Sequence, residues 1–520
     1  MQISSNSKKM LTNSSASFQN NIITNSQSLI NPEKLRTEKF ILDNIDNLIV
    51  IFANPISGNQ EGKIFLNLSK NSLNKLGYRM IDFKEKDIKS KGKSTFYPMV
   101  VVMFNLIEKS EQESGIRLLK KCINKISTNI TSPENQKAIK VLIAGGDGTV
   151  LGMIQTFQRK DLDLKFLIFG HIPLGTGNDL SNALGFSNTV DIDENYESLY
   201  KILVRYITAE YSKVDVWKIE LILDEEKGKI LKNSDDGKHE LLDNDGNIMK
   251  VYERPFINYL SFGYDARVGF NFDSRRTSSR CCNKCVYFWE GLKKFSFRKT
   301  MSVPKFIESF SIIDSGTEDC EKSFITNLDE KISYKNEENI HVKYQLKSEK
   351  NMVENDKNKT NIVIDGNPCS IICQNINFYM AGIKDIWKNS DKLSAKIVNV
   401  HNEEKEKAYL QKFKIMVCEE QLLNDKKLEF FTFDNGLETG FEKITSGHAK
   451  KLYHGFGPVI IKFAKTEELN KDDKKNRIYM NIDGEYFNLV VPISLRIELD
   501  TSLCEGQVPF LIRKNQEDKR

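Results

Sequence analysis

The sequence predicts a mixed α/β protein: an N-terminal doubly wound, three-layer α/β lobe followed by a larger β-rich, sandwich-like lobe. Three observations carry this. Short apolar runs alternate with amphipathic helical segments between about 45 and 190, the pattern of a mostly parallel sheet. After about 210, helical spacing becomes scarce and β-like runs take over. Glycine-bearing turns close the strand ends of the first half.

Residues 1–44 are rich in Ser and Asn, weakly apolar, and read as a disordered tail. The α/β lobe spans 45–200. "NLIVIFANP" is a strand that ends in Asn-Pro and a Ser-Gly turn. "EGKIFLNLSKNSLNKLG" then puts Phe65, Leu68, Leu73 and Leu76 on one broad helical face. "GIRLLKKCINKI" is a second amphipathic helix, "AIKVLIAGG" a second strand, and a helix follows from about Gly148. "KFLIFGHIPLG" is a third strand, and "DLSNALGF" opens another helix.

The β-rich lobe spans 201–515, with runs such as "KVDVWKIELIL", "FINYLSFGYDA", "LEFFTF", "PVIIKFA" and "VVPISLRIEL". Two charged stretches, 224–250 and 314–359, are poor in apolar residues and read as surface insertions. The acidic "DNDGN" fails as a calcium loop. Aligning Gly246 with the invariant glycine puts Leu241 and Tyr252 where carboxylates are required.

Composition narrows the class. At 520 residues, with 28% charged and 39% apolar, the chain suits a soluble globular protein with ample core. A net charge of +5 is too mild to imply nucleic-acid binding. No apolar run reaches the roughly 18–20 residues of a membrane-spanning helix. The first residues lack a secretory h-region, Gln2 excludes myristoylation, and "QEDKR" is no prenylation box. Nine scattered cysteines point to free thiols in a reducing compartment, so a cytoplasmic protein is expected. "CCNKC" (Cys281, Cys282, Cys285) would need Cys369 and Cys373 to make a zinc site, at unusual spacing, and ordinary thiols are the expectation.

The chemistry-bearing features are four turns: "NPISG" (Asn54–Gly58), "GGDGT" (Gly145–Thr149), "PLGTGNDL" (Pro173–Leu180) and "IDGEY" (Ile482–Tyr486). The first three follow strands of the α/β lobe, and ligands collect at the carboxyl ends of such strands. Together they would line one crevice with backbone N–H groups and with hydroxyls from Ser57, Thr149 and Thr176. That arrangement suits a polyphosphate, although neither the Walker pattern nor the dinucleotide spacing is present. Asp147, Asp179, Asp483 and Glu485 sit where rigid turns could aim them at the same place. Asp179 reads equally as a helix cap, and Asp483 as a hairpin turn residue. Dispersed histidines and the lack of a GxSxG elbow leave metalloprotease and serine-hydrolase readings without support.

In order, "NPISG", "LIAGGDGTVLGMI", "IPLGTGNDLSNALG", "VDVWKIE", "INYLSFGYDARV", "NKCVYFWEGLKK" and "MNIDGEYF" resemble the diacylglycerol kinase catalytic and accessory domains, over roughly 45–515. "GGDGT" alone also occurs in NAD kinases; joined to "PLGTGNDL" and "NYLSFGYDA" it favours diacylglycerol kinases. The resemblance implies an ATP- and Mg²⁺-dependent lipid kinase whose active site lies in the cleft between the lobes. The residues implied to hold the nucleotide are Asn54, Ser57, Gly145, Gly146, Gly148, Thr149, Gly175, Thr176, Gly177 and Asn178. Asp483 matches the carboxylate proposed as general base for the lipid hydroxyl, Glu485 its partner, and Asp147 would act through Mg²⁺ or by fixing the phosphate loop. Asp425, with the Leu428 carbonyl, has the spacing of a structural Mg²⁺ site. The implied acceptor is diacylglycerol, with sphingosine, ceramide or monoacylglycerol as alternatives. The forty residues before the catalytic domain contain no cysteine, so no cysteine-rich lipid-binding module is expected there. Peripheral membrane contact is therefore expected through another surface. The candidate is 274–305, with nine Lys or Arg against one Glu and five interleaved aromatics.

Overall fold

The computed structural model describes residues 32–513, except 59, 89–94, 129–136, 188, 235–236, 274–299, 315–340, 353–360, 381, 399–406, 408–410, 412–416, 443 and 466–476. Residues 1–31 of the expected tail, the "CCNKC" cysteines and almost all of the basic-aromatic stretch lie outside the described residues.

The first described element is a helix, α1 (Pro32–Asp43), inside the stretch expected to be disordered. Burial explains it: Ile41 is fully buried, and Glu38 accepts bonds from the Tyr78 hydroxyl and from Lys121. Strand β1 (Leu48–Ala53) leads through the "NPISG" turn into helices α2 (Gly62–Leu68) and α3 (Lys70–Leu76). Strand β2 (Arg79–Phe83) and strand β3 (Met99–Asn105) follow, then helix α4 (Lys109–Ser127). The sequence reading places no strand at "MVVVMFN", yet this continuous apolar run is buried on both faces, as a central parallel strand must be. Strand β4 (Ile139–Gly145), helix α5 (Asp147–Arg159), strand β5 (Leu167–Pro173), helix α6 (Asp179–Ala183) and helix α7 (Tyr196–Ile207) complete the α/β pattern.

β1, β3, β4 and β5 run parallel. The first sheet has the order β2-β3-β1-β4-β5, with Gln507–Ile512 and then strand β6 (Glu210–Asp215) at its far edge. Two of its strands therefore come from the stretch assigned to the second lobe. The C-terminal segment returns because "QVPFLI" is apolar enough to extend the first core, where Phe510 packs on Phe169.

Strands β7 (Trp217–Leu223), β8 (Lys229–Ser234), β9 (Gly237–Glu240), β10 (Val251–Phe256) and β11 (Tyr259–Gly263) open the second lobe. It is built from an eight-stranded and a nine-stranded sheet around a separate core containing Trp217, Phe262, Phe310 and Phe430. This is the sandwich-like lobe that the sequence predicts. Both supposed surface insertions contribute to it. β8 pairs with Glu485–Val490, and His341–Lys347 pairs along Ile307–Asp314. Their charge misleads because a strand with one face toward solvent needs apolar residues only on its inner face.

Candidate active site

The order reversal of the first sheet falls between β1 and β4, and the turns after these strands stand side by side, as expected for a ligand crevice. The Asn54 N–H donates to the Ala144 carbonyl at 2.9 Å, tying "NPISG" to the strand that carries "GGDGT". The Leu174 N–H donates to the Gly145 carbonyl at 2.8 Å, tying "PLGTGN" to the same strand. Glycine is required at the contact between turns. A Cβ on Gly175 would lie 2.7 Å from the Gly146 Cα, so the two loops meet backbone to backbone. At Gly148 a Cβ would meet nothing within 4 Å, leaving open space over the first turn of α5. The Asn178 side chain closes the third turn on itself: its Oδ1 accepts the Gly175 N–H at 2.9 Å and its Nδ2 donates to the Gly175 carbonyl at 2.8 Å. Asn178 itself is left-handed at φ 55°, a conformation Asn tolerates better than most residues.

The helix after "GG" starts at Asp147, slightly before the expected position, so Asp147 is its first residue. Its carboxylate serves the next helix rather than its own. Oδ2 accepts the Asp179 N–H at 2.9 Å and Oδ1 the Leu180 N–H at 3.3 Å. Burial, and then the charges of Asp179 and Asp483, push the Asp147 carboxyl well above the usual range. Behind it stands His171, a residue the sequence reading does not single out. Its Nε2 donates to the Gly145 carbonyl at 3.0 Å, and its Nδ1 faces Asp147 Oδ1 at 3.5 Å. Burial lowers the imidazole to about 4, so it is neutral at physiological pH.

Asp179 is not a helix cap. It is 1% exposed, and its carboxylate reaches across to the second lobe, accepting the Tyr259 hydroxyl at 3.3 Å and the Gly382 N–H at 3.1 Å.

Asp483 forms the tight turn between Ile478–Ile482 and Glu485–Val490, at φ 48°. Its hairpin role and its chemistry coexist. The carboxylate accepts three backbone N–H bonds: Ile257 on Oδ2 at 2.9 Å, and Asn258 and Tyr259 on Oδ1 at 2.8 and 3.0 Å. Burial raises its carboxyl to about 6, against the lowering effect of those bonds and of Arg254. Glu485 goes the other way. Burial alone would raise it, but Arg254 and Lys232 outweigh that and hold it near 2. Neither cation is picked out by the sequence reading, because both become neighbours of Glu485 only through sheet pairing.

Asp147, Asp179 and Asp483 thus converge from both lobes, close enough for their charges to act on one another. Asn54, Ser57, Thr149 and Thr176 lie on the flanking turns. Asp425 lies elsewhere, beside Glu429 and His454, where its Oδ1 accepts the Lys427 N–H at 3.0 Å. Among the described residues no three His, Cys, Asp or Glu side chains form a cage for a metal ion. Cys369 and Cys373 are free thiols.

The diacylglycerol kinase catalytic domain matches residues 48–212, and the diacylglycerol kinase accessory domain matches residues 255–486. The chain belongs to the diacylglycerol kinase family. Both matched stretches carry the site: the catalytic domain supplies Asp147 and Asp179, the accessory domain Tyr259, Asp483 and Glu485. Diacylglycerol kinase 7 of Arabidopsis thaliana is 30% identical over 156 residues, covering 28% of this chain and 31% of its own length. Diacylglycerol kinase 3 of the same plant is 27% identical over 245 residues, 44% of each chain. Human diacylglycerol kinase iota is 27% identical over 186 residues, 35% of this chain and 16% of its own. The chain thus aligns with less than half the length of these relatives. No described helix of this family member is long and apolar enough to cross a membrane.

Proposed function

We propose that this protein is an ATP- and Mg²⁺-dependent lipid kinase that phosphorylates the free hydroxyl of diacylglycerol, giving phosphatidate and ADP. The observation that carries the reading is Asp483: a carboxylate raised to about 6, across from three linked glycine turns. A base of that strength is ionised at neutral pH yet accepts a proton readily.

The turns after β1, β4 and β5 suit the polyphosphate, with open space at Gly148 and backbone N–H groups at the start of α5. Asp147 stands within electrostatic reach of both Asp179 and Asp483, a concentration of negative charge that a divalent cation would relieve. With no three-ligand cage among the described residues, Mg²⁺ would rest on Asp147 and the phosphates, the usual pattern for that ion, and would neutralise charge on the transferring group.

The chain's own residues account for the rest of the step. A carboxylate offers about four lone-pair positions. Backbone donors take three on Asp483, leaving one on Oδ2 for the proton of the lipid hydroxyl. As that proton moves to Oδ2, the hydroxyl oxygen bonds to the terminal phosphorus, and the bond from phosphorus to the bridging oxygen of ADP breaks. Glu485, held ionised by two cations, takes no proton; it anchors the turn that aims Asp483. Peripheral contact with a membrane from the cytoplasmic side completes the reading, because the acceptor is a bilayer lipid.

The test is labelled phosphate transfer from ATP to diacylglycerol in mixed micelles, alongside sphingosine, ceramide and monoacylglycerol. Transfer to diacylglycerol that is lost in Asp147→Ala and Asp483→Asn supports the proposal. Preference for another alcohol would redirect the acceptor, and transfer to no lipid would end it.

A further inference from the structure

Tyr259 touches the acidic groups of both lobes at once. It opens β11, is 6% exposed, and its backbone N–H donates to Asp483 Oδ1 at 3.0 Å. Its carbonyl accepts the Asp483 N–H, also at 3.0 Å, so main chain and side chain of Asp483 are both fixed to this one residue. At the far end of the ring the hydroxyl donates to Asp179 Oδ2 at 3.3 Å. Asp179 is the first residue of α6, and its own N–H is held by Asp147. The connection runs without a break from Asp483 through Tyr259 and Asp179 to Asp147.

We propose that Tyr259 is a positioning residue that sets the register between the two lobes, holding the acceptor-side Asp483 at a fixed separation from the phosphate-side Asp147. The inference rests on the kinase reading for its catalytic consequence, but not for the contact itself.

Three features suit Tyr259 to this. An aromatic ring has two side-chain torsions, so the span from main chain to hydroxyl is rigid. The ring is clamped edge-on by Tyr379, with centroids 4.8 Å apart, and Tyr379 is itself fixed by its hydroxyl bond to the buried Asp265 at 2.5 Å. Burial and the surrounding carboxylates push the Tyr259 hydroxyl well above its ordinary range, so it remains a donor at any working pH. A second interlobe bond, from the Gly382 N–H, ends on the other oxygen of Asp179. That carboxylate is therefore gripped on both sides by the second lobe.

The hydroxyl is what the proposal depends on, and Tyr259→Phe removes it while keeping the ring. On the full-length protein, two readouts are needed. The first is amide hydrogen exchange, which is independent of catalysis. Tyr259→Phe should speed exchange about tenfold at Gly382, Asp179 and Leu180 and leave β4 unchanged. The second is steady-state kinetics of lipid phosphorylation. Because small misplacement of reacting groups costs rate far more than binding, kcat should fall by about 10- to 100-fold, with KM for ATP and for lipid moving less than about threefold. Asp179→Asn should behave similarly, and the double variant should be no slower than the slower single one.

Unchanged exchange at these amides overturns the proposal, as does wild-type kcat in Tyr259→Phe or a double variant whose losses multiply. Altered exchange in a protein that phosphorylates no lipid would support the interlobe contact while rejecting the kinase reading, which separates the two failures.

Discussion

Arg254 closes on Glu485 with both terminal nitrogens, Nη1 to Oε2 at 2.9 Å and Nη2 to Oε1 at 2.6 Å. Lys232 adds a third bond at 2.6 Å from the neighbouring strand β8. Both cations also lie over the Phe487 ring, at 5.8 and 5.7 Å from its centroid. The bidentate fork fixes direction as well as distance, which a single ammonium would not. Glu485 is thereby committed to the turn, which leaves the proton transfer of the proposed mechanism to the neighbouring Asp483.

Replacing the base should separate chemistry from folding. Asp483→Asn keeps the shape, and its carbonyl oxygen can still accept from the main chain. Phosphate transfer should fall by about 10²- to 10⁴-fold, the usual contribution of a positioned base. Circular dichroism and ATP binding should stay close to wild type. Retained transfer in this variant would remove Asp483 from the base role.

The pH dependence has two parts. In the proposed mechanism activity requires ionised Asp483, so kcat should fall as pH drops through about 6. Stability runs oppositely for this group. Its carboxyl is raised in the folded state, so between the ordinary value of 3.8 and about 6 the folded protein binds more protons than the unfolded chain. This contribution to stability is full below 3.8 and is lost as pH rises through about 6. The melting temperature of wild type relative to Asp483→Asn should therefore fall as pH rises from about 4 to 7.5. A difference that does not change with pH would contradict the raised carboxyl.

Arg254 lowers the Asp483 carboxyl, so removing its charge should move the acid limb upward. Arg254→Met is expected to shift that limb to higher pH by a few tenths to about one unit, with Arg254→Lys recovering part of the shift. Glu485 titrates in the other sense. Held near 2 against 4.5 in the unfolded chain, it contributes stability above 4.5 that is lost as pH falls toward 2. Thermal melts between pH 3 and pH 7 should show that acid-labile part in wild type and not in Glu485→Gln.

Two glycines should respond differently to the same small change. Gly175→Ala drives a Cβ to 2.7 Å from both the Gly146 Cα and the Asn178 Oδ1, so the turns must separate. Both the melting temperature and ATP affinity should fall, affinity by about tenfold or more. Gly148→Ala adds a Cβ into empty space within α5, where alanine is favoured by about 1 kcal/mol. It should leave the melting temperature unchanged or raised while raising KM for ATP. Equal effects of the two substitutions would mean that the space at Gly148 is not where the phosphates approach.

Much of this was legible before the structure. "NPISG", "GGDGT" and "PLGTGNDL" announce themselves because glycine and asparagine mark backbone that must turn tightly or approach closely, and their place after apolar strands fixes them to one edge of a sheet. Asp147 and Asp483 were visible for the same reason, since each sits inside such a turn. α1 was missed because a Ser/Asn-rich leader hides a helix whose stability comes from Ile41 and Glu38 meeting distant partners. β8 and the strand His341–Lys347 were missed because their polar composition suits a strand with one solvent-facing side as well as a loop.

The sequence by itself determined the local chemistry: which turns offer backbone N–H groups, which carboxylates stand on rigid positions, and the two-lobe division of α/β and β-rich segments. Tertiary structure decided the pairings. That Asp179 answers to Tyr259 and Gly382, that Glu485 is neutralised by Lys232 and Arg254, and that Gln507–Ile512 returns to the first sheet all depend on residues far apart in the chain. Proton affinity was decided there too. Asp483 and Glu485 stand two positions apart on one turn, yet one is held near 6 and the other near 2. Burial acts on both, but Glu485 is ion-paired to Arg254 and Lys232, whereas Asp483 feels Arg254 more weakly.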